Sequence, residues 1–198
     1  MSFLLNQCTF RSLDASLLDS CKKFNCGKPD LDEFFREDCL KYSDQLLGKT
    51  YCFTLDSDPS KVVCLFTVSN ESIKANTLPN SRKKKLVREI PHEKYMRHYP
   101  AVLIGRLGVD RGFGKKNIGS DLMDFIKAWF IDPDNKTGCR FVVVDAYIDK
   151  YVIDYYKSNG FVEMFSSEDQ EKEYYNLKSE DTLKTRLMYF DLIKIRSQ

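Results

Sequence analysis

One stretch constrains the fold more than any other. Residues 101–109, Ala-Val-Leu-Ile-Gly-Arg-Leu-Gly-Val, form a β-prone run, and residues 111–120 then supply glycines at 112, 114 and 119. A helical period follows at once, because Ile118, Leu122, Phe125, Ile126 and Trp129 fall on one continuous face. A strand passing through a glycine-containing loop into a helix leaves backbone amides pointing outward, where the helix dipole adds partial positive charge. That arrangement is an anion site. Gly112, Gly114 and Gly119 allow positive φ or close approach of a ligand, and Asn117 tolerates the left-handed region better than most residues. Lys115 and Lys116 add cationic donors. The spacing is neither GxGxxG nor GxxxxGK(S/T), so dinucleotide and P-loop folds fit less well. On the loop alone, an ordinary strand-to-helix turn is an equal alternative.

The rest of the chain reads as alternating strands and helices. Residues 3–13 suggest a first strand. Asp30 is placed to cap a helix, with Glu33 three residues on and Leu31, Phe34, Phe35 and Tyr42 as its apolar face. Residues 49–55 and 61–68 are β-rich and flank a turn-forming loop at 56–60, which predicts an antiparallel hairpin. Residues 69–99 are polar, contain the basic run Arg82-Lys83-Lys84-Lys85, and lack a convincing period, so a long loop is expected. Residues 140–144 predict a buried strand, and a helix from about 149 to 158 ends at Asn159-Gly160. Short strands at 161–165 and 185–195 complete the order. With no internal repeat and no linker, residues 1–198 are expected to form a single domain, a mixed α/β sandwich with helices on both sheet faces.

Composition narrows the function classes. A net charge of +2 is too small to imply a polyanion partner by itself, although a local basic cluster can still bind one. The seven cysteines are odd in number, lack a CxxC pair and mostly lie in apolar segments, so reduced thiols and a cytoplasmic location are expected. With only His92 and His98 available, no metal site is expected. The first residues lack the charged region of a signal peptide, and no apolar run approaches the roughly 20 residues of a membrane span.

A second segment, Tyr155-Tyr156-Lys157-Ser158-Asn159-Gly160-Phe161, places a tyrosine four residues before Gly-Phe. In this order and at this distance the chain resembles the GNAT superfamily of acetyltransferases. The family's acetyl-CoA loop typically reads Gln/Arg-x-x-Gly-x-Gly/Ala, and its later helix ends Phe-Tyr-x-x-x-Gly-Phe. Aligned on Gly119, Gly114 stands at the family's first position and Asn117 at its middle glycine. A narrower resemblance joins Phe24-Asn25-Cys26-Gly27 with Leu31-Asp32, and Ile104-Gly105-Arg106-Leu107-Gly108-Val109-Asp110, to one GNAT branch. That branch includes toxins that acetylate the amino acid on charged tRNA. The matches span about residues 24 to 192.

The resemblance implies a GNAT-like fold, with a central, mostly antiparallel sheet splayed at the acetyl-CoA site. It implies transfer of an acetyl group from acetyl-CoA to a primary amine by direct attack. The pantetheine arm would pair with the backbone of Leu107, Gly108 and Val109, and the pyrophosphate would lie against Gly114, Lys115, Lys116, Asn117, Ile118, Gly119 and Ser120. Tyr156 would protonate the departing thiolate or hydrogen-bond its sulfur. Asp145, at the end of the strand after the cofactor helix, is the first candidate for the base and Glu71 the second. For each, a surface carboxylate is the alternative. An aminoacyl ester, whose amine is less basic, would reduce the need for either. Cys26 or Cys139 as a nucleophile has no histidine beside it. The acceptor is a small amine or aminoacyl-tRNA, with Arg82, Lys83, Lys84 and Lys85 either an RNA contact or a solvated loop. A homodimer is implied by the family. A non-catalytic CoA-binding or partner-binding module is the alternative of another class.

Overall fold

The computed structural model describes residues 2–88, 90, 96–114 and 116–196. Among the described residues, seven strands, β1 (Cys8–Ser12), β2 (Lys49–Leu55), β3 (Asp58–Lys74), β4 (His98–Val109), β5 (Phe141–Tyr147), β6 (Val162–Glu163) and β7 (Thr185–Asp191), take the sheet order β1-β2-β3-β4-β5-β7-β6. The β1–β2, β2–β3, β5–β7 and β6–β7 pairings are antiparallel. The chain divides into two compact units. The first is Met1–Asn70 with Ile104–Ala128, and the second is Glu71–Leu103 with Trp129–Gln198.

In the first unit the chain opens as a helical turn, α1 (Phe3–Gln7), where the sequence suggests strand. The cause is a cap: the Ser2 hydroxyl accepts from the Leu5 amide, and β1 begins only at Cys8. A short helix, α2 (Ala15–Ser20), follows, capped by Asp14, whose carboxylate accepts from the Leu17 amide. The next helical stretch runs through α3 (Pro29–Glu33), a π-turn (Phe34–Asp38) and α4 (Cys39–Asp44). Asp30 is not its cap. Pro29 takes the first helical position, so Asp30 lies inside the first turn and Lys28 flanks the helix without a side-chain bond. The buried face is Leu31, Phe35 and Cys39, spaced by four, while Tyr42 is exposed. These residues pack with Leu13, Cys52 and Leu65. Burying a side chain the size of Phe35 stabilises the unit by about 2–3 kcal/mol. The β2–β3 hairpin forms as expected but closes more tightly: Leu55 faces Asp58 across two turn residues, with a bulge at Phe53 and Thr54. Phe10 fills its surface against Tyr51 at 5.5 Å and Phe125 at 4.7 Å.

In the second unit the expected loop at 69–99 contains regular structure among its described residues, with 89 and 91–95 lying outside them. Strand β3 continues to Lys74, residues Asn80–Val87 form α5, and β4 starts at His98. The helix escapes a periodicity reading because only Leu86 and Val87 anchor it, in a core shared with Tyr99, Phe141, Phe165 and Tyr189. The helix after β4, α6 (Ile118–Ile131), belongs to the first unit up to Ala128, and α7 (Lys150–Ser158) follows β5 in the second. A further helix, α8 (Glu168–Tyr174), has no counterpart in the sequence reading; Ser167 caps it through the Gln170 amide. Its Glu171, buried, accepts from the Leu187 amide through one oxygen and pairs with Arg186 at 2.6 Å through the other, so both oxygens of the carboxylate are matched. Strand β7 stops at Asp191, where a short turn leads into α9 (Ile193–Arg196) rather than continuing to 195. No helix among the described residues is long and apolar enough to cross a membrane.

Candidate functional site

The loop between β4 and α6 is built by local bonds. Asp110 caps a 3-10 turn, Arg111–Phe113, by accepting from the Gly112 amide at 2.9 Å. Gly114 then lies in the right-handed region, at φ −58. The left-handed position falls on Asn117, at φ +54, so the residue standing where the family has its middle glycine carries the conformation glycine favours. Gly112 and Gly114 therefore do not supply positive φ, which corrects that part of the expectation. The Asn117 carbonyl accepts from the amides of Ser120 and Asp121, which starts α6. The Asn117 and Ile118 amides donate to no described acceptor, which leaves two unpaired donors at the helix N-terminus. Lys116 is held by aromatic rings, 4.4 Å from the centre of Phe3 and 5.5 Å from that of Phe113. Lys115 lies outside the described residues.

Two sequence segments some eighty residues apart meet at this loop. The Asn25 carbonyl accepts from the Arg111 amide at 2.9 Å, and the Asp110 carboxylate accepts from the Asn25 amide at 3.1 Å. Asn25 Oδ1 also accepts from the Gly27 amide, and Asp32 accepts from the Cys26 amide at 2.8 Å. Gly27 sits at φ +86 with the Arg111 guanidinium where a Cβ would stand, the Nε atom 2.2 Å from that point. Gly108 is likewise closed over by Cys26 and Phe24. The Phe-Asn-Cys-Gly and Leu-Asp matches are thus the brace beneath β4 and the loop. Leu107 and Val109 are half-buried on the same strand.

In the second unit, the segment around Tyr156 is a helix C-terminus of defined form. The Phe161 amide donates to the Tyr156 carbonyl at 3.0 Å and the Gly160 amide to the Lys157 carbonyl at 3.0 Å, the bond pair of a Schellman motif. That motif needs a left-handed residue after the cap, and Gly160 lies at φ +82. It also favours an apolar contact between its end residues, met by the Tyr156 and Phe161 rings at 5.4 Å. The spacing of tyrosine, glycine and phenylalanine is therefore cap geometry that orients Tyr156. The Tyr156 hydroxyl has no hydrogen-bond partner among the described residues, and burial pushes its pKa well above the ordinary phenol value. The group stays protonated near neutral pH.

Asp145 lies on β5 opposite Leu187 of β7. Its residue surface is exposed, yet desolvation by the protein around the carboxyl, and then the Glu71 carboxylate, raise its pKa above the ordinary value; the Tyr175 hydroxyl opposes the shift. Glu71, exposed on β3, accepts from the Ser72 amide at 2.7 Å. One candidate base, Glu71, thus acts on the other. The loop residues belong to the first unit, and Tyr156, Asp145 and Glu71 to the second.

The thiols behave as buried side chains. All seven are free, and burial pushes Cys26 and Cys139 up to about 11, where neither is a thiolate at neutral pH. Among the described residues no group of three His, Cys, Asp or Glu side chains could hold a metal ion. The basic run is helical: Lys84 and Lys85 are exposed on α5, with Arg82 and Lys83 half-buried. Lys94, nearby in sequence, lies outside the described residues. Sequence reading missed Arg111 and Asp110. A cap residue between a strand and a glycine was the available signal for Asp110.

No family model matches the chain. A tRNA-acetylating toxin of Mycobacterium tuberculosis is 24% identical over 132 residues, covering 67% of this chain and 72% of that protein. Among solved structures, AtaT complexed with an acetyl-methionyl-tRNA matches with a TM-score of 0.64 at 19% identity, over 96% of this chain and 98% of that one. AtaTR bound with acetyl-CoA matches with a TM-score of 0.62 at 17% identity, over 97% and 98%. The chain has the GNAT-type fold that its motifs implied.

Proposed function

We propose that this chain is an acetyltransferase that moves an acetyl group from acetyl-CoA to a primary amine by direct attack. The observation that carries the reading is the loop at 114–120. Its left-handed Asn117, unpaired amides and helix N-terminus support its use as a pyrophosphate cradle, although Gly114 lacks the family's Gln/Arg side chain. Acetyl-CoA is the co-substrate. Its pyrophosphate lies against residues 114–120 and its pantetheine arm along Leu107, Gly108 and Val109.

In the reaction the neutral amine attacks the thioester carbonyl carbon, and the tetrahedral oxyanion takes a backbone amide of β4. The carbon–sulfur bond then breaks, and the ammonium proton leaves to Asp145, to Glu71 or to water. On this reading Tyr156 is the hydrogen-bond donor to the departing sulfur. Its raised pKa favours donation of a hydrogen bond to the thiolate over complete proton transfer, because a buried phenolate lacks solvation.

The acceptor we favour is the amino acid of a charged tRNA. The likeness to a tRNA-acetylating toxin and to AtaT supports it, as does the four-cation stretch of α5. The protein then works in the cytoplasm as one catalytic domain over residues 1–198, in a homodimer. The test is transfer from labelled acetyl-CoA to a panel of aminoacyl-tRNAs and small amines. Label on the amino acid, released with it by ester hydrolysis, is expected. Label on small amines alone would reject the tRNA acceptor, and no transfer to any acceptor despite acetyl-CoA binding would favour a non-catalytic module. Replacing Arg82, Lys83, Lys84 and Lys85 by alanine is expected to weaken tRNA binding and flatten its salt dependence. An unchanged salt slope would remove α5 from the interface.

A further inference from the structure

Successive side chains of a strand alternate between faces, so Phe141, Val143 and Asp145 of β5 lie in one row. Phe141 and Val143 are buried in a core shared with Ile73 of β3 and Leu187 of β7, and Asp145 continues their row to its polar end. Glu71 stands two residues before Ile73, at the corresponding place on β3. A carboxyl at the end of an apolar row loses part of its solvent and needs a donor to stay charged. Helix α8 reaches this face from outside. Its Glu171 accepts from the Leu187 amide, on the residue directly opposite Asp145. Its Tyr174 packs on Phe165 with ring centres 5.1 Å apart, and the Tyr174 hydroxyl accepts from the Lys74 amide at 3.4 Å. The helix then closes in a second Schellman motif. The Leu177 amide donates to the Lys172 carbonyl at 2.8 Å and the Asn176 amide to the Glu173 carbonyl at 3.1 Å, with Asn176 left-handed at φ +55. These anchors fix the backbone on either side of Tyr175, the cap residue.

The Tyr175 ring lies edge-on to that of Tyr174 at 5.1 Å, and its hydroxyl donates to the Asp145 carboxyl. No other donor reaches that carboxyl among the described residues. Burial, and then the Asp145 charge, push the Tyr175 phenol well above its ordinary value, so it remains a donor over the whole working range. The other groups that act on Asp145 or are acted on by it are Glu71 from β3 and Glu171 and Tyr174 from α8, and Glu171 is already paired with Arg186 of β7. We propose that Tyr175 is a positioning residue for the base: its hydroxyl fixes the Asp145 carboxylate in orientation and holds it in the charged form that accepts the ammonium proton. This step rests on the reading of Asp145 as the base. The phenol occupies one carboxylate oxygen and leaves the other for the acceptor amine.

Titration of the Asp145 carboxyl by carbon-13 NMR, with its signal assigned by loss in Asp145→Asn, tests the contact without any substrate. Tyr175→Phe keeps the ring against Tyr174 and removes only the hydroxyl. In that variant the carboxyl should titrate at higher pH, because the lost bond favoured the charged form. The rising limb of kcat should move with it. Well below the limb kcat should fall by about threefold to tenfold, the effect of one partly exposed hydrogen bond, while the plateau at high pH changes little. Tyr174→Phe, whose hydroxyl serves the Lys74 amide, should leave the carboxyl midpoint and the limb where they are. Melting curves check that each variant folds. A carboxyl midpoint that stays put in Tyr175→Phe overturns the proposal, whether or not Asp145 is the base. A midpoint that moves while the kcat limb stays, or in a protein that transfers no acetyl group, rejects Asp145 as the base, and the positioning role falls with it.

Discussion

At the residue scale, the proposed chemistry rests on Tyr156 and Asp145. A buried phenol with an open donor is suited to a developing thiolate and gains nothing in the ground state. Tyr156→Phe is expected to lower kcat by about tenfold to a hundredfold, the worth of one hydrogen bond to a charged group, with acetyl-CoA affinity unchanged by calorimetry. Equal turnover would remove the hydroxyl from the mechanism. Asp145 holds its proton more tightly than an ordinary carboxylate because of desolvation and Glu71. As a base it works only when deprotonated, so kcat should rise with pH through a value above the usual Asp value of about 4. Asp145→Asn should erase that limb. A limb that survives would transfer the role to Glu71 or water. Both residues were visible in the sequence as side chains, Tyr156 by its motif and Asp145 by its place after a buried strand. Their altered acidity was not, because it comes from burial by distant segments and, for Asp145, also from Glu71.

At the element scale, the Tyr-x-x-x-Gly-Phe spacing has a physical meaning. It closes α7 with a left-handed glycine and clamps Tyr156 through its carbonyl and ring. Gly160→Ala combines a positive φ with a Cβ only 3.0 Å from the Phe190 ring, so it should cost about 1–2 kcal/mol by denaturant unfolding. It should also lower kcat by misplacing Tyr156. A variant as stable and as active as the parent would show that the cap has other ways to close. The helices α5 and α8 were illegible for opposite reasons. The first has too few anchors to produce a period, and the second is a polar run whose one buried member, Glu171, reads as a surface charge until Arg186 and the Leu187 amide are seen around it.

At the scale of the whole molecule, acetyl-CoA binding couples to stability, because a ligand held by the folded loop has no site in the unfolded chain. Acetyl-CoA at a hundredfold excess over its Kd should add about 2.7 kcal/mol. For a chain of this size that raises Tm by roughly 5–10 °C. Scanning calorimetry with and without the ligand measures it, and a Tm that does not move would deny the loop its cofactor. The sequence by itself determined what is local: the strand–loop–helix at 101–131, the left-handed Asn117, the hairpin, and the glycine that ends α7. Each follows from backbone preferences acting over a few residues. Tertiary structure alone decided the brace between Asn25 and Asp110, the seat of Arg111 on Gly27, the arrival of Lys61 beside the turn, and the lowered acidity of Asp145. These depend on which distant segments come within a few ångströms of one another, and a one-dimensional pattern does not encode that distance.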